Sequence, residues 1–255
     1  MSRGSTMDTK ETIRGHVVEY YDLEHKYFVD GIEVISVSTI CKKENPGMYT
    51  GISQQTLNNA AKRGTHLHKE IENYEKHQVP GFSVEFKNYR KVKERLGFKK
   101  ELTETMVLLE IENQVVSCGR FDILALMNDE LCLIDIKRTK DIHMDYFKLQ
   151  LNLYRYGYKQ SYDIDISKLM VIRLRDNEIN IIDVPIDDIL VENTLKKYIK
   201  KINTKKNLEV KNPVTIPVYE KKESKKFDFD FTSIYEMIIA IIVIILLFLW
   251  IFQIG

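Results

Sequence analysis

Cysteine is scarce in this 255-residue chain, which holds only Cys41, Cys118 and Cys132, an odd number with no C-x-x-C spacing. That pattern excludes a disulfide framework and falls short of the thiolate set of a cubane iron–sulfur cluster, so a reducing compartment fits it best. An excess of either charge is missing too. The formal net charge is +1 with 29% charged residues, so the chain is no general sponge for nucleic acid. Any DNA-binding surface must be a local concentration of Lys and Arg. Residues Met1 to Lys10 lack an apolar h-region, which predicts no secretory signal and a cytosolic N-terminus. Internal repeats and low-complexity tracts are absent as well.

A long hydrophobic run is present. Met237 to Phe252 is sixteen residues without a charge, and with Ile234, Tyr235 and Ile254 it approaches the roughly 20 residues that cross a bilayer core. A buried core helix is the plainer alternative, but a run with no polar face is hard to hide in one small domain. Lys221, Lys222, Lys225 and Lys226 precede it, on the side that the positive-inside rule assigns to the cytoplasm. The expected organisation is a disordered start over 1–10, one domain over 11–202, a Lys-rich linker over 203–233 and a transmembrane tail anchor over 234–254.

Within the domain, Asp30-Gly31 between His25–Val29 and Ile32–Ser36 predicts a hairpin. Asn45-Pro46-Gly47 marks a loop. Apolar spacing predicts helices over 54–77 and 84–96, the second stopped by Gly97. Period-2 patterning predicts strands over about 102–112, 115–127 and 131–137, then a helix over 143–160, strands over 169–174 and 179–184, and a helix over 187–202. The fold class is α/β, with a central mixed sheet of about four or five strands flanked by helices.

The stretch from Gly119 to Lys137 carries the chemistry. If Asn128-Asp129 is a two-residue turn, Met127 pairs with Glu130, and counting back sets Asp122 opposite Asp135. Opposed residues have Cβ atoms about 4.5–5.5 Å apart, so two carboxylates there need positive charge between them. Alternation puts Leu131, Leu133, Asp135 and Lys137 on one face, an apolar face that ends in a carboxylate and an ammonium. Hard oxygen ligands select Mg²⁺ or Mn²⁺, which polarises a phosphoryl group and acidifies water. The plain alternative is a surface hairpin with a solvated charged face. On the helix over 54–77, Thr65, His68 and Glu72 share a stripe, while His66 and His68 are about 200° apart and cannot chelate one metal together.

Taken in order, Arg63-Gly64-Thr65-His66-Leu67-His68, Gly119-Arg120-Phe121-Asp122, Asp135-Ile136-Lys137 and Gln150 to Tyr154 resemble the RecB-like branch of the PD-(D/E)XK nuclease superfamily. The likeness spans roughly residues 25–160 and is closest to phage-type exonucleases and the mitochondrial genome maintenance exonuclease family. Those share an upstream His-x-Tyr hairpin and Ser-Val-Thr, here His25 to Gly31 and Ser36-Val37-Ser38. The resemblance implies a restriction-endonuclease-like core. It implies metal-site residues His68, Asp122 and Asp135, with Ile136 among the ligands, and Lys137 as the catalytic lysine. Gln150 and Tyr154 would support the site or contact DNA, and Ser36, Ser38 and Arg63 would contact backbone phosphate. A further carboxylate is expected in the preceding strand, with Glu104 and Glu110 both available and Glu72 a third candidate. The membrane tail departs from the family pattern. The expected function is metal-dependent hydrolysis of DNA, exonucleolytic on single strands or ends. The alternatives are an endonuclease of the same fold, or a catalytically silent scaffold that anchors DNA or a DNA-processing complex to a membrane.

Overall fold

The computed structural model describes residues 9–209 apart from Leu23, with side chains as far as residue 199. Tight turns of one kind join several of its antiparallel strand pairs. Between β3 (Lys26–Val29) and β4 (Ile32–Ser36), Asp30 and Gly31 have φ +50° and +78°, the two positive values that a type I′ turn demands. Asn128 and Asp129, at φ +52° and +65°, join β6 (Gln114–Met127) to β7 (Glu130–Lys137) with Met127 opposite Glu130, as the sequence predicts. Arg14 and Gly15 make a further such turn, at φ +51° and +83°, between β1 (Thr9–Ile13) and β2 (His16–Tyr21). The strand β1 thus includes Thr9 and Lys10, which belong to the stretch expected as a disordered start.

With β5 (Lys99–Ile111), β8 (Lys168–Arg175) and β9 (Glu178–Val184), the described residues form one nine-stranded sheet, where four or five strands were expected. Two things enlarge it. The strand β1 carries no apolar alternation to betray it, and β4 fuses the early hairpins to the central sheet by pairing parallel with β6 at Ile35↔Ser117 and Ser36↔Cys118. The sheet is mixed, since β7 and β8 also run parallel and the other neighbours are antiparallel.

Five helices accompany it among the described residues. These are α1 (Val37–Glu44), α2 (Gln54–His77), α3 (Val84–Leu96), α4 (Met144–Tyr162) and α5 (Asp188–Glu209). Ser36, Ser53 and Ser83 start the first three, each hydroxyl accepting a backbone N–H three residues on, a cap that contributes about 1 kcal/mol. Gly97 closes α3 at φ +66°. The helix α5 continues to Glu209, into the expected linker. Residues from α1, α4 and α5, among them Ile40, Phe147 and Leu195, pack with Leu124, Leu133 and Val171 on one face of the sheet. Leu67 and Ile71 of α2 and Phe86, Tyr89 and Val92 of α3 pack with Ile123, Ile134 and Ile172 on the other. A third cluster joins Val18, Tyr20 and Tyr27 of the early strands to Met106, Leu108 and Cys118. The apolar run over 234–254 lies outside the described residues; among the described residues no helix is long and apolar enough to cross a membrane.

Candidate metal centre

The site lies where β6 changes partners. One edge of β6 carries β5, while the other pairs with β4 at Ser117 and Cys118 and with β7 only from Ile123 onward. Residues 119–122 occupy the gap. A Cβ on Gly119 would stand 2.7 Å from both Tyr154 Cε1 and Val37 Cγ2, so glycine lets α4 and α1 close over the strand. The strand also changes phase here. Phe121 packs on α4, its ring centroid 5.7 Å from that of Tyr158, whereas Ile123 packs with the α2 and α3 cluster. In a regular strand, residues two apart share a face, so the turnover falls on Asp122. On β5, pairing passes from Thr103↔Ile123 to Thr105↔Phe121 and skips Glu104, whose φ is +50°. That backbone conformation costs a non-glycine residue about 1–3 kcal/mol, and such strain gathers at functional positions.

The same phase change revises the expected face-to-face pair. The β6–β7 register follows the predicted count as far as Ile123↔Ile134, but Asp122 is not a ladder partner of Asp135. Instead, Asp122 Oδ2 accepts the backbone N–H of Ile136 at 2.6 Å, reaching sideways to β7. Its Oδ1 lies 3.3 Å from His68 Nδ1. His68, Glu104 and Asp122 each offer one ligand atom within 4.8 Å of the others. Asp135, 3% exposed, sits beside this group, with Oδ2 2.5 Å from Lys137 Nζ as an ion pair without hydrogen-bond alignment.

The electrostatics record crowding of like charge. Burial and then the Asp122 charge push Glu104 up to about 7. Burial likewise raises Asp135 to about 6 against the pull of Lys137. Burial would raise Asp122 as well, but His68, Lys137 and the Ile136 N–H together hold it below the usual carboxylate range. Burial disfavours charge on His68, yet the adjacent Asp122 lifts it to about 9. Burial opposes the Lys137 ammonium too, and Asp135 and Asp122 outweigh it and raise its pKa.

The remaining expected residues divide into near and far. Glu72, held between Lys69 at 3.0 Å and Lys76 at 2.8 Å, is near enough to raise Glu104 electrostatically. Glu110 instead pairs with Arg14 at 3.0 Å and lies 3.4 Å from His16, so the carboxylate that joins the cluster from β5 is Glu104. Gln150 and Tyr154 are buried on α4 and linked at 3.4 Å, and Gln150 Oε1 has no hydrogen-bond partner among the described residues. Ser36 serves as the cap of α1, its Oγ 2.8 Å from Thr39 Oγ1 and 3.1 Å from Ser38 Oγ. Arg63 lines a separate cleft of about 430 Å³ with Lys62, His66, Arg138 and Asp176, and none of the cluster residues forms its wall.

A divalent cation fits this donor set. Two carboxylates and one imidazole converge, a third carboxylate, Asp135, is buried beside them against Lys137, and Glu104 and Asp135 both have raised affinity for a proton. Sequence reasoning missed Arg120, whose Nε lies 2.7 Å from Glu104 Oε2, and Tyr20, whose ring lies under that guanidinium. The i, i+2 spacing of Arg120 and Asp122 on one strand was the available signal.

No family model matches the sequence, and no curated protein matches it. Among solved structures the chain is similar to that of SSO0001, at 18% identity and TM-score 0.39, covering 70% of this chain and 81% of that one. It is similar to an alkaline exonuclease from Laribacter hongkongensis at 9% identity and TM-score 0.40, covering 70% and 92% of the two chains. It is also similar to a phage-related exonuclease from Haemophilus somnus at 12% identity and TM-score 0.30, covering 68% and 96%. At this level of likeness the functional case rests on the side chains.

Proposed function

We propose that the protein is a metal-dependent DNA nuclease that hydrolyses phosphodiester bonds, with His68, Glu104, Asp122 and Asp135 around a Mg²⁺ or Mn²⁺ ion. The observation that carries this is the convergence of His68, Glu104 and Asp122 within 4.8 Å, with the Asp135–Lys137 pair beside them. A cation bound there supplies Lewis acidity to a phosphoryl oxygen and acidifies a water. The chain's own residues do the rest. Asp122 is aimed by the Ile136 N–H, which fixes one oxygen and leaves its partner toward His68. Lys137 supplies a positive N–H donor for the attacking water or the developing phosphorane charge. Gln150 and Tyr154 are buried on α4, with Tyr154 near enough to feel the Asp135 charge, and they exclude solvent from that side.

The resemblance in sequence to RecB-like exonucleases supports action on single strands or free ends, and an endonuclease is the alternative within the same chemistry. The apolar run over 234–254 supports a membrane tether with the nuclease domain on the cytoplasmic side. The test is end-labelled single- and double-stranded DNA incubated with Mg²⁺, Mn²⁺ or EDTA, for the wild type and Asp135→Asn. Cleavage is expected with metal, abolished by EDTA, and reduced by at least about 10²-fold in the variant. Substrates blocked at the 5′ or 3′ end separate exonuclease from endonuclease. Wild-type protein that binds DNA and cleaves none under any metal would mark it as a silent scaffold.

A further inference from the structure

Two residues before Asp122 on β6, Arg120 meets Glu104 on the neighbouring strand, Nε to Oε2 at 2.7 Å. No other ion pair or hydrogen bond to the Glu104 side chain is made among the described residues. The guanidinium is itself held. Its Cζ lies 4.5 Å from the centroid of the Tyr20 ring, and Nη2 is 3.8 Å from Asp22 Oδ1. Tyr20 is 1% exposed, donates its hydroxyl to Asp22 Oδ1 at 2.8 Å, and lies 4.7 Å from the Tyr27 ring. A continuous set of contacts thus runs from the β2–β3 hairpin through Arg120 to Glu104.

Glu104 needs such a hold. Its backbone sits at φ +50° in the middle of a strand, and the ladder passes it by. The Thr105 hydroxyl donates to the Thr103 carbonyl across it at 3.4 Å, a local kink with no ladder bond to fix where the carboxylate goes. A fork-shaped guanidinium, stacked on an aromatic ring, restricts direction more than a point charge does. We infer that Arg120, seated on Tyr20, is the positioning residue that turns Glu104 toward His68 and Asp122, making the β2–β3 hairpin a working part of the metal centre. This rests on the metal-site reading above.

Two physical accounts of Arg120 differ in sign. At a pH above the Glu104 range, where the carboxylate stays charged without Arg120 and where the titration is therefore run, loss of a nearby positive charge alone would tighten cation binding by lifting repulsion. If it positions Glu104, removal weakens binding, and partners behind a ligand commonly alter metal affinity by about 10–100-fold. The experiment is Mn²⁺ titration of the full-length protein, followed by the electron paramagnetic resonance signal of free Mn²⁺, with circular dichroism to check folding. Wild type, Arg120→Met, Arg120→Lys, Glu104→Gln and the double variant Arg120→Met with Glu104→Gln are compared.

Arg120→Met is expected to bind Mn²⁺ about 10-fold or more weakly. Arg120→Lys, which keeps the charge and loses the fork, is also expected below wild type. The double variant should bind no more weakly than Glu104→Gln, because both changes remove one interaction. Binding by Arg120→Met as tight as wild type or tighter overturns the positioning role, and so does a loss that adds in full to that of Glu104→Gln. If Arg120→Met does not fold, Arg120→Lys decides alone, and wild-type affinity there overturns the inference. Failure of the wild type to bind Mn²⁺ at all sinks the metal-site reading and this inference with it, an outcome distinct from those above.

Discussion

A single methyl group on Gly119 is enough to disturb the gap in β6. Alanine there would place Cβ 2.7 Å from Tyr154 Cε1 and from Val37 Cγ2, and both neighbours are buried. Overpacking of this kind costs about 1–3 kcal/mol, so Gly119→Ala is expected to lower the urea midpoint with the m-value unchanged. An unchanged midpoint would show that α1 and α4 part freely. The residues of the candidate centre were unequally legible in the sequence. His68, Asp122, Asp135 and Lys137 follow from ordered motifs and a countable hairpin. Glu104 remained one of three carboxylates, because nothing in Leu102-Thr103-Glu104-Thr105 announces a positive φ. Arg120 and Tyr20 are a hundred residues apart, and only pairing of the early hairpins with the central sheet brings them together.

Two carboxylates of α2 reach α3: Glu75 accepts from Tyr89 and Lys93, and Glu70 holds the start of the helix. Glu70 accepts the backbone N–H groups of Phe82 at 2.7 Å and Ser83 at 3.0 Å, together with the Ser83 hydroxyl. Burial pushes its pKa up, but these donors outweigh that and hold it below the ordinary value of 4.5. A depressed folded-state pKa gives stability that is present above the unfolded value and is lost as pH falls through the folded one. Glu70→Gln should therefore be less stable at neutral pH and show a flatter decline below about pH 4.5 than wild type. Urea midpoints across that range check this, and parallel declines would remove Glu70 from the acid limb. Apolar spacing made α2 and α3 readable to the residue, with Gly97 marking the end of α3. By contrast, α1 opens with Val37-Ser38-Thr39-Ile40, whose β-branched residues favour a strand, and burial of Val37, Ile40 and Cys41 overrides that preference. The expected phosphate contact of Ser36 and its observed role as a cap draw on one property, a small hydroxyl that can both accept and donate.

At the scale of the whole molecule, the proposed tether and the catalytic unit should be separable. Removal of residues 233–255 is expected to move the protein from the membrane fraction to the soluble fraction with cleavage retained. A truncated form that still sediments with membranes would overturn the tether. If the protein acts on DNA as proposed, a net charge of +1 leaves its capture to local surfaces, for which the cleft bearing Lys62 and Arg63 is a candidate. Log affinity for DNA should then fall only shallowly with log salt, and a slope steeper than about −6 would mean a far wider basic contact. The shared edge of β6 also sets an order in time. Strands β5, β6 and β7 close through two short turns, whereas β4 meets β6 only across 82 residues, where Ser117 bonds the Ile35 carbonyl. Short loops close first, so Glu104, Asp122 and Asp135 should gather before α2 delivers His68 or the hairpin delivers Tyr20. During that interval three carboxylates gather with only Arg120 and Lys137 to offset them, and a divalent ion would supply the missing positive charge as a folding aid before it ever serves a reaction. Refolding faster in Mn²⁺ than in EDTA is the expected sign, and equal rates would mean that the long-range strands join first.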